Sequence, residues 1–545
     1  MATELRVRSV DSLTPWFTLG LFAAGFALVF RGWLFSGFDG AFSDEEDGYL
    51  ALALMEHWRH VFSGAVHWTD PLFFYPAHGT LGYTDTYFLF GVVVAPLRLL
   101  GADIFTAYMV AMAGLATAGF FGFRRLAMRH FGIPATYAAV GAYLFAFANV
   151  DAVKLIHPQA YCAMLLPGLC NLVLAAWNDK QGAGRGAAAG LIFAALFLTA
   201  FQTAWFFACY VMLLMLLHPA VCGLAATRGL VRAMMTTRRP VMLAAAGAFA
   251  AGMVPFLMLY VPVFLAGHSR DFAEVASNMP DWRDLANVTP GNAVWGGLLE
   301  WLGIAGRPNR PVWEVELAFT PAVLAGFLGG LAWLAAQLRR QAEMRDRFLF
   351  MMGIAVVILW LMQMDYFGVR PWRAVWAAVP GAKAIRYPFR SQLVANLFVA
   401  LVLARVLAAW GRKRLWPVLL CGLLVVEQLN VAWPPIMSRG AALAWIDAVP
   451  APPAGCRVFY VVANAGPPGR SGPQHQDDAV LFAEIRGIAT INGYSSWFPD
   501  GWALDQPANP GYPAAVRDWA RRNSVESGLC GLDPRAGRWT PGLPQ

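Results

Sequence analysis

Charge is scarce in this 545-residue chain: 14% of its residues are Asp, Glu, Lys or Arg, against 58% hydrophobic, with a mean hydropathy of +0.50. Soluble globular chains carry about 25% charged residues, so the composition excludes a soluble enzyme, a disordered chain and a fibrous protein. Cysteine is scarce too. The seven cysteines form no CxxC and no His/Cys ligand spacing, which leaves a zinc site and a redox motif without support. Five lie in apolar runs and read as small core residues. Cys456 and Cys530 fall in the polar C-terminal region, where they could pair if that region is extracytoplasmic; two free thiols fit equally well. An internal repeat, a heptad run and an inverted pair of broken helices are all missing, which argues against a secondary transporter.

What is present is a series of apolar runs with basic residues between them. Lys and Arg exceed Asp and Glu by 41 to 33, a formal +8, and the cations sit in short clusters between the runs, the pattern of cytoplasmic loops on a polytopic membrane protein. The first run, Trp16 to Phe30, follows Arg6 and Arg8 without a small-residue cleavage site. It reads as a retained span with a cytoplasmic N-terminus. Tyr87 to Leu100 is too short to span and contains Pro96 and Arg98, so it reads as interfacial or re-entrant. Ile104 to Phe123 then runs inward, placing Arg124, Arg125 and Arg129 in the cytoplasm. Further spans are expected near 134–150, 159–177, 187–201, 204–218, 241–265, 317–337, 348–364, 391–409 and 416–433. The inward loops then hold Lys180 and Arg185; Arg228, Arg232, Arg238 and Arg239; Arg339, Arg340, Arg345 and Arg347; and Arg412, Lys413 and Arg414. The expected fold is therefore mainly α, a polytopic transmembrane helical bundle of about eleven spans over residues 1–433. A small extracytoplasmic α/β domain is expected over 434–545. The outward regions too long or polar to be simple connections are 31–103, 266–316, 365–390 and the tail, which contains strand-like pieces at Cys456–Val462 and Gly487–Ile491.

The candidate chemistry gathers on the outward side. Asp44-Glu45-Glu46-Asp47 directly follows the first span and precedes an amphipathic stretch expected to lie along the interface. A carboxylate at the water–lipid boundary can deprotonate an acceptor hydroxyl; helix capping explains Asp44 and Asp47 as well. Like charges within this cluster should raise the pKa of at least one member. Phe73-Phe74-Tyr75-Pro76 forms either a stiff platform on which sugars stack or part of an aromatic interface belt. Asp85, just before a half-membrane apolar segment, is costly unless paired or used. In the outward turn Asn149–Gln159, His157 can bind a phosphate or a sugar hydroxyl, or be structural. Arg386 and Arg390 stand on the outer side against the positive-inside trend, where a bidentate phosphate or snorkelling to anionic head groups explains them. Glu314 and Glu316 are placed to counter these arginines or to be plain interfacial acids. The acidic cluster can bind a divalent cation, though spacing fixes no ligand set.

In order along the chain, Glu56-His57, Phe74-Tyr75-Pro76, Thr84-Asp85, Ile156-His157-Pro158-Gln159, Val288-Thr289-Pro290, Arg386-Tyr387-Pro388-Phe389-Arg390 and Asn492-Gly493-Tyr494-Ser495-Ser496 resemble the GT-C class of polytopic membrane glycosyltransferases, in a bacterial branch of it. The resemblance implies a multi-pass protein of the bacterial inner membrane with extracytoplasmic catalysis. It also implies a hexosyl- or pentosyltransferase that takes a sugar from a polyprenyl-phosphate carrier, inverts at the anomeric carbon and passes the sugar to an envelope glycan, lipid or protein. Partners are then the lipid-linked donor, membrane lipids and that acceptor, with no nucleic acid. By position the catalytic acid matches Asp47, with Asp44, Glu45 and Glu46 leaving the assignment open within four residues. Asp85 would be the second acid, and Arg386 and Arg390 the phosphate clamp. Glu56, His57, Tyr75, His157 and Gln159 would contact substrate. The competing reading is a non-enzymatic exporter or assembly scaffold for envelope polysaccharide, but acids gathered at one face, with few charges inside the spans, favour a surface-facing site over a conduit.

Overall fold

The computed structural model describes residues 2–179, 181–307, 312–340, 343–411, 416–432, 436–462 and 471–544. Lys180, Arg412, Lys413 and Arg414 of the expected inward loops lie outside the described residues. Among the described residues, eight helices are long and apolar enough to cross a membrane: Ile104–Phe131, Ala135–Ile156, Pro158–Asn178, Phe201–Cys222, Arg239–Leu265, Pro321–Leu338, Met344–Gln363 and Pro388–Trp410. The expectation of about eleven spans is therefore met by eight at full length. Two further expected spans are shorter apolar helices, Thr14–Val29 and Ala183–Thr199, and in 416–433 the helix is Trp416–Val426. Phe88–Leu99 is also a shorter apolar helix, as its Pro96 and Arg98 foretold.

Local chemistry sets the helix ends. Asp103 caps Ile104–Phe131 by accepting from the Thr106 backbone N–H at 3.1 Å, and Gly132 closes that helix with φ +64°. The central element is Gln392–Trp410, apolar on nearly all sides and buried to match. Where helices approach most closely, glycine makes room: a Cβ on Gly190 would strike the Ala245 carbonyl of the neighbouring helix Arg239–Leu265. That neighbour exposes Leu243, Leu257, Met258 and Phe264, whereas the hydropathic window of Ala135–Ile156 is wholly buried.

The bundle has two chemically distinct ends. At one, Arg345 donates to the Phe131 carbonyl, Arg347 to Val221 and Arg238 to Asp179, so the expected inward clusters lie together. At the other, the first loop and the tail are joined. Strand β1 (Gly40–Phe42) pairs antiparallel with β2 (Ile436–Ser438), with Ala41 opposite Met437. The tail carries a four-stranded sheet in the order β4-β3-β5-β6. There β3 (Val458–Val461) runs parallel to β4 (Ala489–Thr490) and β5 (Leu529–Asp533), and β6 (Arg538–Pro541) is antiparallel to β5. The two strand-like pieces read from the tail are thus β3 and β4. Cys456 and Cys530 are joined as a disulfide.

The amphipathic stretch after the acidic cluster is the helix Asp47–Phe62, and it does not lie along an interface: twelve of its residues are buried. The tail helix Gly472–Arg486 and the segment Phe88–Leu99 pack over it, so the apolar stripe meets protein on more than one side. Gly472–Arg486 starts with a capping box of Ser471 and Gln474.

Candidate active site

The four acids of the first loop are told apart by their partners. Asp44 accepts from the Glu46 backbone N–H at 3.0 Å and so shapes the turn before the helix. Glu45 pairs at 2.8 Å with Arg535, which also holds Asp478, and Glu46 accepts from the Ser471 hydroxyl at 3.3 Å. Asp47, in the first turn of its helix, faces His157, with Nε2 at 3.2 Å from Oδ2 and its own side chain 44% exposed. Three of the acids are therefore tied to the backbone or the tail, and Asp47 carries its carboxylate toward open space. Burial raises the Asp44 carboxyl, with Asp47 adding to the rise. At Asp47 burial works the same way, but the hydrogen bond from His157 and the charges of His157, Arg390 and Lys154 outweigh it and hold the carboxyl below its ordinary value. The expected like-charge rise thus appears at Asp44 and is reversed at Asp47.

Beside this pair lies a buried ionic group. Glu314, brought in by the second outer loop, pairs with Lys154 at 2.6 Å and with Arg390 in a two-pronged contact whose Nε–Oε2 distance is 2.8 Å. Burial would raise the Glu314 carboxyl; the two cations overcome it and hold it well below the usual range. Glu314 is thus shared between the two cations. The bidentate anion called for by Arg390 is thus supplied from within the chain. Glu316 does not join the arginines. Its carboxyl is pushed up to about 7 by burial and by Asp284.

His157 is lowered to about 4, first by burial and then by the charge of Lys154, so the ring is neutral near pH 7. Asp85 receives the Phe201 backbone N–H at 3.0 Å, capping the helix Phe201–Cys222 from another segment. Its carboxyl is raised by burial, against the pull of that N–H, Arg390 and Gln159. Gln159 in turn accepts from the Tyr87 hydroxyl at 2.6 Å. Asp85, Gln159, Gln202 and Arg390 line one small cavity with Phe206 and Leu393.

Of the residues expected from sequence, the structure brings together Asp47, His157, Asp85, Gln159 and Arg390. Arg386 sits at the rim, 43% exposed, paired with Glu274 at 2.8 Å; Arg386 and Arg390 lie over the Tyr387 ring at 5.0 and 4.7 Å. Glu56 and His57 are not brought to this group. Glu56 is bound by Arg59 and Arg98, and His57 meets the Trp68 carbonyl at 3.0 Å. Tyr75 is turned to the tail, its backbone bonded to Thr490 and Trp519. Sequence reasoning did not select Lys154 or Asp477. Lys154 had a signal, a cation at the outward end of a span. Asp477 had little: it is one of two adjacent acids in a tail helix, fully buried, with both oxygens unpartnered among the described residues. Its carboxyl is raised well above the ordinary value by burial and by Asp47, Glu46, Asp478 and Asp44.

The residues do not fit a divalent cation. Among the described residues no three His, Cys, Asp or Glu side chains are grouped to hold one, Asp44 is turned to the backbone and Glu45 to Arg535.

No family model and no curated protein matches the chain. Among solved structures, it is similar to the oligosaccharyltransferase of Archaeoglobus fulgidus in its apo form, at 12% identity and a TM-score of 0.48, over 95% of this chain and 69% of that one. The archaeal oligosaccharyltransferase AglB from Archaeoglobus fulgidus, in complex with an inhibitory peptide and a dolichol-phosphate, matches at 13% identity and a TM-score of 0.46, over 95% of this chain and 70% of that one. ArnT from Cupriavidus metallidurans bound to undecaprenyl phosphate matches at 12% identity and a TM-score of 0.34, over 89% of this chain and 90% of that one.

Proposed function

We propose that the protein is a membrane glycosyltransferase of the GT-C class that moves a sugar from a polyprenyl-phosphate donor to an extracytoplasmic acceptor, with inversion. The observation that carries this reading is the half-exposed Asp47 carboxylate beside a buried group in which Lys154 and Arg390 share Glu314. A base and an anion-stabilising cation set side by side are what this transfer needs, because the leaving group is already a phosphate and requires no acid.

In this reading His157 donates its Nε2–H to one Asp47 oxygen, and the other accepts the acceptor's hydroxyl proton. The acceptor oxygen attacks the anomeric carbon, the bond from that carbon to the phosphate oxygen breaks, and the electron pair leaves on the polyprenyl phosphate. Arg390 and Lys154 face that developing charge, and Arg386 waits at the rim. Asp85 and Gln159 hold the far wall of the Arg390 cavity. The basic clusters at the opposite end of the bundle support a cytoplasmic placement for that end and an extracytoplasmic one for the site and the tail.

The test is to incubate the protein in nanodiscs with a panel of polyprenyl-phosphate sugars and an envelope-glycan acceptor, reading product configuration by NMR. Inverted product from one donor supports the proposal. A product of retained configuration, or no turnover of any donor by folded protein, overturns it.

A further inference from the structure

In the aromatic run Phe73-Phe74-Tyr75, Phe73 and Phe74 are fully buried and cannot meet a ligand themselves. Phe74 instead supports a second aromatic layer from the tail. Its ring meets Trp502 edge-on at 5.2 Å and Phe498 at 6.0 Å, and a Cβ on Gly493 would strike it. Phe498 and Trp502 are stacked in parallel, 4.9 Å apart with 2° between their planes. Trp502 is anchored by its Nε1–H to the Ile491 carbonyl at 2.9 Å and is buried, whereas Phe498 stays part-exposed.

This stack is one wall of a cavity of about 310 Å³ between the start of the helix Gly472–Arg486 and the segment 493–506. Small-ligand cavities begin at roughly 300 Å³. Gln476 is a fixed wall, its amide occupied by Leu504, Asn492 and the Gly493 N–H. Asp505 and Gln506 are exposed at the rim, and Tyr494 closes the side facing the acids. Ser471, the cap of the helix whose Pro473 lines the cavity, donates its hydroxyl to Glu46 of the acidic cluster at 3.3 Å, so the cavity adjoins the candidate active site.

A flat aromatic face opposite a carboxylate, an amide and a phenol suits a ligand with one apolar C–H face and hydroxyls around its edge. We propose that this cavity is a saccharide subsite, in which a sugar unit stacks on Phe498 and its hydroxyls meet Asp505, Gln506 and Tyr494. Its assignment as the acceptor's subsite rests on the glycosyltransferase reading. The binding itself does not.

The experiment is saturation-transfer NMR on the full chain in nanodiscs, with a panel of methyl glycosides and, in parallel, a panel of tetrapeptides. The variants are Asp505→Ala with Gln506→Ala, both exposed and away from the core, and Phe498→Ala. We expect transfer to at least one glycoside at millimolar concentration, weakened about tenfold or more in the rim double variant, lost in Phe498→Ala and kept in Asp47→Asn. Glycoside binding that survives in a protein with no transfer activity supports the subsite while the glycosyltransferase reading fails. No transfer to any glycoside, transfer unchanged in the rim variant, or a response from peptides alone overturns the subsite.

Discussion

The first loop and the tail each bring a carboxylate to the same junction, and the two differ in every physical respect. Asp47 is 44% exposed, paired with His157 at 3.2 Å and held ionised by neighbouring cations. Asp477 is fully buried, has both oxygens unpartnered among the described residues, and is pushed toward the neutral acid. The same side chain on two elements far apart in sequence is thus held toward its ionised form in one place and toward its neutral form in the other, and burial together with the sign of the neighbours decides which. The lesson extends to the cations. Lys154 and Arg390 are buried but share Glu314, so neither cation is left without a counter-ion in the interior.

The largest effect should come from removing the base. Asp47→Asn is expected to lower transfer by roughly 10²- to 10⁴-fold with little change in thermal unfolding, measured by turnover and by a melt in the same nanodiscs. Loss of fold along with activity would make Asp47 structural and erase the contrast. Next is Glu314→Gln, which leaves Lys154 and Arg390 facing each other without their counter-ion. Breaking a buried pair costs about 3–5 kcal/mol, so the melt should shift down strongly; an unchanged melt would mean the three side chains are not coupled.

Asp477→Asn sharpens the comparison from the other side. Because burial and the neighbouring acids push the native carboxyl toward its neutral form, the amide should keep transfer within about twofold; a fall as deep as that of Asp47→Asn would mean that Asp477 is the base. A smaller, purely titrational effect is expected at Glu484, buried on the tail helix and bonded to the Leu72 N–H, with its carboxyl raised to about 8. Its native form binds a proton that the unfolded chain has released, so stability should fall as pH rises from 4.5 toward about 8. Glu484→Gln should flatten that part of the stability–pH curve, and an unchanged slope would assign the proton elsewhere.

Much of the bundle was legible because a membrane leaves so few solutions. Long apolar helices and basic loops between them are visible without tertiary information, and the Arg238, Arg345 and Arg347 clusters do share one end. The shorter helices were less legible, since a run of apolar residues does not show where a helix starts. The site was legible where a charge stood against its surroundings, as with Asp85, His157 and Arg390. Glu56 and His57 looked equally distinctive in sequence, yet each has a full structural explanation in Arg59, Arg98 and the Trp68 carbonyl. The burial of the helix Asp47–Phe62 could not be read, because its cover comes from the tail helix Gly472–Arg486, more than 400 positions away. Local pattern shows an apolar stripe but not whether lipid or protein meets it.

The most direct test of the central claim is release of polyprenyl phosphate from a lipid-linked sugar donor, compared across the parent, Asp47→Asn and Asp477→Asn at pH 5 to 8. With Asp47 ionised and His157 neutral near pH 7, the account predicts release that is nearly intact in Asp477→Asn and lost in Asp47→Asn. Full release from a folded Asp47→Asn protein would contradict it.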